Sequence, residues 1–114
     1  MPATLHFRQL SAPRQALVRL FQSINYGHIE DLEVRSGEPV FNPSPRVLID
    51  VRLSGDEGPR PEHELGDFSL RDEIVRLLDR LGELGDGTVA QIEVRAGVPR
   101  RMVIEANRHQ GVRR

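Results

Sequence analysis

The chain has 114 residues, of which 38% are hydrophobic and 29% charged, and its formal net charge is −1. This composition suits one small globular domain rather than a disordered chain, and the near-neutral charge gives no bulk electrostatic case for nucleic acid. The chain has no cysteine, so disulfides and thiolate metal sites are excluded. No apolar run approaches the roughly 20 residues that span a bilayer, and the first residues lack the pattern of a signal peptide. We therefore expect a cytoplasmic protein.

The first predicted element is a helix, which follows a segment with scattered apolar residues at 2–10. Its apolar residues have the i, i+3, i+4, i+7 spacing of an amphipathic helix: Leu17, Leu20, Phe21 and Ile24. Ser11 precedes the stripe as an N-cap. We expect the helix to end near Gly27, because glycine suits the left-handed residue at a helix C-terminus.

An alternating strand is predicted next, at residues 28–35. The alternation places Leu32 and Val34 on one face together with Glu30, and the other face receives Asp31, Glu33 and Arg35. Ser36-Gly37 then predicts a tight hairpin, such as a type I turn with a glycine bulge. Residues 47–53 alternate as the returning strand. The pattern leaves open whether residues 39–41 belong to that strand, interrupted by a prolyl bulge.

The second half of the chain repeats this order. Residues 87–99 match residues 27–39 at a constant offset of 60, with both glycines, a Glu-Val-Arg triplet and a proline in common. Upstream, Ser69 and Asp72 predict a helix capping box, and the apolar stripe of the first helix recurs at an offset of 57. We therefore predict repeat one at about 11–53, an acidic linker at 54–67, repeat two at about 68–107 and a polar tail at 108–114.

These repeats predict an α+β fold. One helix on a two-stranded hairpin is marginally stable alone, whereas two such units can share a core. The predicted architecture is two tandem αββ repeats that form a four-stranded antiparallel sheet, with two helices packed on one face.

The first repeat resembles the YezD-like family of small bacterial proteins of unknown function. The resemblance covers mainly residues 17–41 and depends on the pattern Ile24-x-Tyr26-Gly27-x-Ile29 followed by Val34-x-x-Gly37. It implies an intracellular bacterial protein and supplies no catalytic residue. The second repeat fits the pattern less closely, because Asp86 stands where the first repeat has Tyr26.

No residue pattern predicts a catalytic, cofactor-binding or metal-binding site. The four histidines lack metal-ligand spacing, although His63 lies between two glutamates in the linker. The glycines at 82, 85 and 87 follow a helix and precede a strand, which is the wrong order for a phosphate-binding loop. His28 corresponds to Thr88 in the second repeat, which suggests a tolerant position rather than a general base.

Charged residues that recur in both repeats predict a candidate interaction surface. Within each repeat a Glu and an Arg two residues apart can pair on one face, and the two pairs could meet across the sheet. Two further arginines belong to an Arg-rich C-terminal region. The candidate residues are Glu33, Arg35, Glu93, Arg95, Arg100 and Arg101. A solvated polar face is the alternative interpretation.

The sequence therefore predicts a non-catalytic protein-interaction or regulatory module that acts through the open face of its sheet. We expect a protein partner or a homodimer, formed by stacked sheets or by a strand edge, if apolar residues fall on that face: Ile29, Val40, Leu48, Val89 and Val98. The alternative function is nucleic-acid binding through the Arg-rich C-terminal region. An enzyme remains a third alternative, which would need a pocket joining both repeats.

Overall fold

The computed structural model describes residues 5–51, 53 and 69–105. Within them the chain forms two α-helices and five β-strands, preceded by a short 3₁₀ helix at Phe7–Gln9. In chain order these are α1 (Ala12–Ile24), β1 (Tyr26–Arg35), β2 (Glu38–Val40), β3 (Arg46–Ile49), α2 (Asp72–Leu84), β4 (Gly87–Arg95) and β5 (Val98–Ile104). The predicted α+β class is confirmed. The predicted linker, the polar tail and His63 lie outside the described residues.

The strands form one antiparallel sheet with β1 and β4 at its centre. β5 pairs with β4, while β2 and β3 both pair with β1. β2 lies beside Glu33–Arg35 and β3 lies beside Gly27–Glu30, so the predicted returning strand is split in two and the sheet has five strands rather than four. Pro43 and Pro45 lie in the break, where proline cannot donate to a ladder.

The hydrophobic core lies between the two helices and one face of the sheet. Each of the most deeply buried side chains contributes about 1.5–3 kcal/mol by leaving water. They come from both helices and from the two central strands: Leu17, Phe21, Leu81, Ile29, Leu32, Val89 and Ile92, all with no exposed surface. The predicted apolar stripes of the helices are therefore confirmed as core residues, except that Leu20 is only partly buried against the core.

A local irregularity of the backbone at Asp31 changes which side chains of β1 face the helices. Asp31 has a φ of +60° and is exposed. The alternation restarts after it, so that Ile29 and Leu32 are both buried although they are three residues apart. The predicted position of Glu30 on the face of Leu32 is therefore wrong. Glu30 lies on the opposite face of the sheet, together with Glu33.

The helix ends differ from the predicted ones. Ser11 is confirmed as the N-cap of α1, because its hydroxyl oxygen accepts a hydrogen bond from the backbone N–H of Arg14 at 3.3 Å. The residue with positive φ at the end of α1 is Asn25, at +63°, rather than Gly27. Gly27 lies inside β1 instead, where the backbone of β3 passes close to its Cα atom.

The predicted capping box at the start of α2 is wrong. The N-cap residue is Arg71, whose side chain makes no capping hydrogen bond. Ser69 forms an isolated bridge with His6, and the N–H of Leu70 donates to the carbonyl of Leu5 at 2.9 Å. These contacts hold the segment before α2 in an extended form, so the helix begins only at Asp72.

Both hairpins have two-residue turns. Ser36 and Gly37 have φ values of +52° and +76°, and Ala96 and Gly97 have +54° and +76°. Positive φ at both central residues is the pattern of a type I′ turn, which matches the twist of the flanking strands. The predicted type I turn with a glycine bulge is therefore wrong.

The turns hydrogen-bond to the ends of the helices across the molecule. The N–H of Gly37 donates to the carbonyl of Gly85, the C-cap of α2, at 2.8 Å. The N–H of Gly97 donates to the carbonyl of Asn25, the C-cap of α1, at 2.9 Å. The hairpin turn of each half of the chain thus donates a hydrogen bond to the C-terminal end of the helix in the other half. Among the described helices, none is long and apolar enough to cross a membrane.

Candidate interaction surface

The face of the sheet that points away from the core carries polar side chains, and we call it the open face. It is defined by the residues that alternate with buried ones along the strands. Its central members are half-buried, whereas the arginines at its borders are exposed. The charged and other polar side chains that define the open face are His28, Glu30, Glu33, Arg46, Thr88, Gln91, Glu93 and Arg101, with Arg35 and Arg95 at its ends.

The carboxylates of β1 are held by donors on the neighbouring strands. The hydroxyl of Thr88 donates to Oε2 of Glu33 at 3.0 Å. The amide of Gln91 donates to Oε2 of Glu30 at 3.3 Å, while the guanidinium of Arg46 lies 3.3 Å from Oε1 of the same residue. These cross-strand contacts fix the carboxylates in position and link β1 to both of its neighbours.

Glu93 has a different environment on β4. Its Oε2 accepts a hydrogen bond from Nε of Arg95 at 3.1 Å, as the sequence predicts for a pair on one face. In the sheet it is opposite His28 on β1 and opposite Arg101 on β5. A shallow cavity of about 240 Å³ opens beside it, towards Asp50 at the end of β3.

The two predicted Glu/Arg pairs do not meet across the sheet. Because β1 and β4 are antiparallel, Glu33 is opposite Thr88 while Glu93 is opposite His28. The two glutamates therefore lie towards opposite ends of the central strand pair. Both glutamates lie on the open face, but each makes its own contacts: Glu33 with Thr88, and Glu93 with Arg95.

Arg100 is separated from the other candidate residues. A register shift between Glu93 and Val94 makes Arg100 the extra residue of β5. Its guanidinium donates to Oε2 of Glu73 on α2 at 3.0 Å, on the helix side of the sheet. The neighbouring Arg101 is opposite Glu93 on the open face. The sequence could not separate these adjacent residues, because the bulge is set by pairing with β4.

Three of the five apolar residues expected on the open face lie on it by their strand pairing. Ile29 and Val89 belong to the hydrophobic core, so their predicted placement is wrong. Val40 is opposite Glu33 and Val98 is opposite Arg95, so both share the open face, as does Leu48 opposite His28. Leu48 is the member of that set that remains exposed. The phase shift in β1 and β4 explains the inward position of the first two.

The exposed apolar surface is concentrated on β3 instead. Val47 and Leu48 are each 39% exposed, Ile49 is 55% exposed, and Val51 just beyond the strand is 72% exposed. We call residues 46–51 the β3 edge. Its alternating apolar pattern is the signal of a strand, but the sequence does not reveal that these side chains stay partly exposed.

A groove with a volume of about 400 Å³ lies between α2 and β5. Four arginines line it, over an apolar floor that includes Leu77 and Met102: Arg76, Arg80, Arg100 and Arg101. Glu73 pairs with Arg100, and Oε1 of Glu83 lies 3.5 Å from Nη1 of Arg80. These two carboxylates offset part of the positive charge of the groove. Arg100 and Arg101 of the Arg-rich C-terminal region thus share a groove with two helix arginines that the sequence did not single out.

The described residues contain no group of three or more His, Asp or Glu side chains able to hold a metal ion. Gly82 lies within α2 and Gly85 is its C-cap, so neither belongs to a loop before a helix N-terminus. Comparisons with protein-family models, with curated proteins and with solved structures found no match.

Proposed function

We propose that this protein is a non-catalytic interaction module that binds a protein partner through the open face of its sheet and the adjoining β3 edge. The observation that carries the proposal is the run of exposed apolar side chains at Val47, Leu48 and Ile49, beside a patterned charged face. Contiguous exposed apolar surface marks interaction sites, and an edge strand offers unpaired backbone groups to a partner.

The charges of the open face support recognition. Both carboxylate oxygens of Glu30 have donors, and the carboxylate of Glu33 is fixed by Thr88. Charged groups held in place by their neighbours present a defined pattern to a partner, which favours specificity and association rate more than affinity. A partner with basic groups near Glu33 and an apolar contact at Leu48 would fit this pattern.

The proposal is tested by co-purification with a double charge reversal on the open face. Tagged wild-type protein and the Glu33→Arg/Glu93→Arg variant are expressed in the native host, and the bound proteins are identified by mass spectrometry. Glu83→Arg, an exposed change of the same kind on α2, is the matched control. We expect the control to retain the partner and the double variant to lose at least about tenfold of it, as for disrupted charge complementarity. Undiminished recovery with the double variant would refute the proposal.

We also propose that the fold is an internal duplication. The pairing of β1 with β4 supports it, because Gly27 is opposite Val94 and Val34 is opposite Gly87. Gly87 corresponds to Gly27 and Val94 to Val34 in the repeat, so a two-fold rotation would exchange the two pairs. The reciprocal hydrogen bonds from Gly37 and Gly97 to the opposite helix ends support the same relation. The resemblance to the YezD-like proteins, a bacterial origin and a cytoplasmic location stay predictions.

Nucleic-acid binding is the second candidate function, and the groove between α2 and β5 favours it. Two of its arginines, Arg76 and Arg101, make no ion pair within the described part of the chain. The proposal predicts affinity for a duplex or single strand that falls steeply with added salt and is abolished by Arg100→Glu with Arg101→Glu. Arg95→Glu, outside the groove, is the control. Affinity that is independent of salt would exclude this function.

A further inference from the structure

We propose that two copies of this chain associate by antiparallel pairing of their β3 edges, with Leu48 of each copy at the two-fold axis. The inference rests on the proposed function, since it assigns an occupant to the β3 part of the same surface. It commits to a second copy of the chain because the edge is self-complementary in its backbone groups, its side chains and its charges.

The backbone groups of β3 define which residues can pair outward. The N–H of Asp50 donates to the carbonyl of Tyr26 on β1 at 2.8 Å. Successive residues of an antiparallel strand direct their N–H and C=O groups to alternate sides. Leu48 therefore also directs its backbone groups to β1, whereas Val47 and Ile49 direct theirs to the outer edge. A second strand must bond to these two residues.

Only registers that bring outward residues opposite outward residues can form a ladder. The register centred on Leu48 places Val47 opposite Ile49 of the second copy, with both sets of backbone groups directed towards each other. It also places Arg46 opposite Asp50 of the second copy, twice by symmetry. Cross-strand pairs of opposite charge and of β-branched side chains are each worth roughly 0.2–1 kcal/mol.

The two neighbouring registers are less complementary. Centring on Ile49 would place Leu48 opposite the charged Asp50 of the second copy. Centring on Val47 would place Leu48 opposite Arg46 and would bring Pro45, which has no N–H, opposite an outward residue. The sequence from Arg46 to Asp50 is thus matched to itself in one register. At its centre the two Leu48 side chains meet on the open-face side, and Val47 meets Ile49 of the second copy, twice by symmetry, on the other side.

The edge is a better site for self-association than the open face. Stacking two open faces would bury the carboxylates of Glu30, Glu33 and Glu93, and removing charges from water costs several kcal/mol for each ion. Edge pairing leaves these groups in solvent. On the opposite edge of the sheet, β5 presents Arg101 beside Arg100, and charge on an edge disfavours further strand addition. The pairing therefore closes at two copies, an isologous dimer.

The ladder is short, so we expect a reversible dimer rather than a permanent one. Interfaces well below the standard size of about 1,600 Å² are typical of weak complexes, for which Kd values in the micromolar range are expected. Sedimentation velocity of the wild-type chain should show a monomer-to-dimer shift across about 1–300 µM for an interface of this class.

Charge reversal tests the register. In Arg46→Asp the two copies would place aspartates opposite each other, and in Asp50→Arg they would place arginines opposite each other. We expect each variant alone to dimerise at least tenfold more weakly than the wild type. Mixed in equal amounts, the two variants form complementary pairs at both ends of the ladder, so the heterodimer should recover to within about threefold of wild-type affinity, as charge complementarity requires. Arg101→Asp, the same change on the opposite edge, should leave dimerisation unchanged.

Circular dichroism monitors whether each variant is folded. If a single variant is misfolded, the double variant Arg46→Asp/Asp50→Arg provides the test of the register. It restores opposite charges at both ends of the ladder within one sequence, so it should dimerise like the wild type. A wild-type chain that stays monomeric throughout the series, as expected if an extended peptide of another protein occupies the edge, would overturn the inference. Failure of both the mixture and the double variant to dimerise would also overturn it.

The experiments can refute the dimer and the proposed function independently of each other. If the chain is monomeric but Glu33→Arg/Glu93→Arg still loses its partner, self-pairing is wrong and the open face keeps its role. If the chain dimerises in the predicted register but the same double variant retains every partner, the open face is not the docking site and the pairing stands.

Discussion

Replacing Gly27 by alanine tests the close contact between β1 and β3. A Cβ atom at this position would overlap the carbonyl oxygen of Leu48, and it would lie 3.0 Å from Cα of Ile49 and 2.9 Å from Cγ2 of Ile24. Two of these three atoms belong to the backbone, so a side-chain rotation cannot relieve the clash. Alanine therefore requires β3 to move away from β1.

The expected cost follows from overpacking. Inserting a methyl group into a packed site typically costs about 1–3 kcal/mol, and the backbone contacts place Gly27→Ala towards the upper limit. Urea unfolding followed by far-UV circular dichroism should show the midpoint fall by about 1 M or more, for a slope of about 1–3 kcal/mol/M. Because the β3 edge is displaced, the variant should also lose the proposed dimer.

Gly87→Ala is the matched control, at the corresponding position of β4. There a Cβ atom would lie 3.1 Å from Cδ1 of Leu84, at the flexible end of a side chain. Alanine is favoured over glycine in an element interior by roughly 0.5–1 kcal/mol, which offsets a small adjustment. We expect a change within about 0.5 kcal/mol by the same reasoning. Equal destabilisation by the two substitutions would refute the argument from β3.

Three further substitutions test local features of the fold by the same unfolding measurement. Ser11→Ala removes both the N-cap hydrogen bond to Arg14 and a 2.6 Å hydrogen bond to Glu38, so it should cost about 1 kcal/mol; an unchanged midpoint would mean that water replaces the cap. Arg71→Asp supplies the missing cap of α2 and should stabilise the protein by about 0.5–1 kcal/mol, whereas a lower midpoint would show that Arg71 has another role. Ala96→Asn replaces an alanine at φ +54° with a residue that tolerates this conformation, so it should stabilise the hairpin by up to about 1 kcal/mol, and destabilisation would contradict the turn assignment.

The elements that depend on local periodicity were predictable from the sequence. The apolar stripes of both helices, the cap at Ser11 and the glycines of the two hairpins all have short-range signals. The turn type was not predictable, because alanine is not a residue type that favours positive φ, yet Ala96 adopts it. The capping box at Ser69 failed since the segment before α2 bonds to residues far away in the chain.

The candidate surface was predictable in composition but only partly in arrangement. Glu33, Glu93 and Arg101 lie on the open face, but Arg100 does not, and the pairing of β4 with β5 decides between the two arginines. The exposure of Leu48 was expected, whereas that of its neighbours on the β3 edge was not. Whether an alternating strand is covered depends on where the helices end in space, which the strand sequence does not encode.

The change of phase at Asp31 connects the fold to the proposed function. Without it, strict alternation would direct Glu30 towards the helices, where an unpaired carboxylate would cost several kcal/mol. With it, Ile29 and Leu32 both reach the core, and Glu30 joins Glu33 on the open face within reach of Arg46 on β3. That contact orients the first residue of the β3 edge. The phase shift in the central strand therefore completes the core and positions the arginine on which the proposed self-pairing depends.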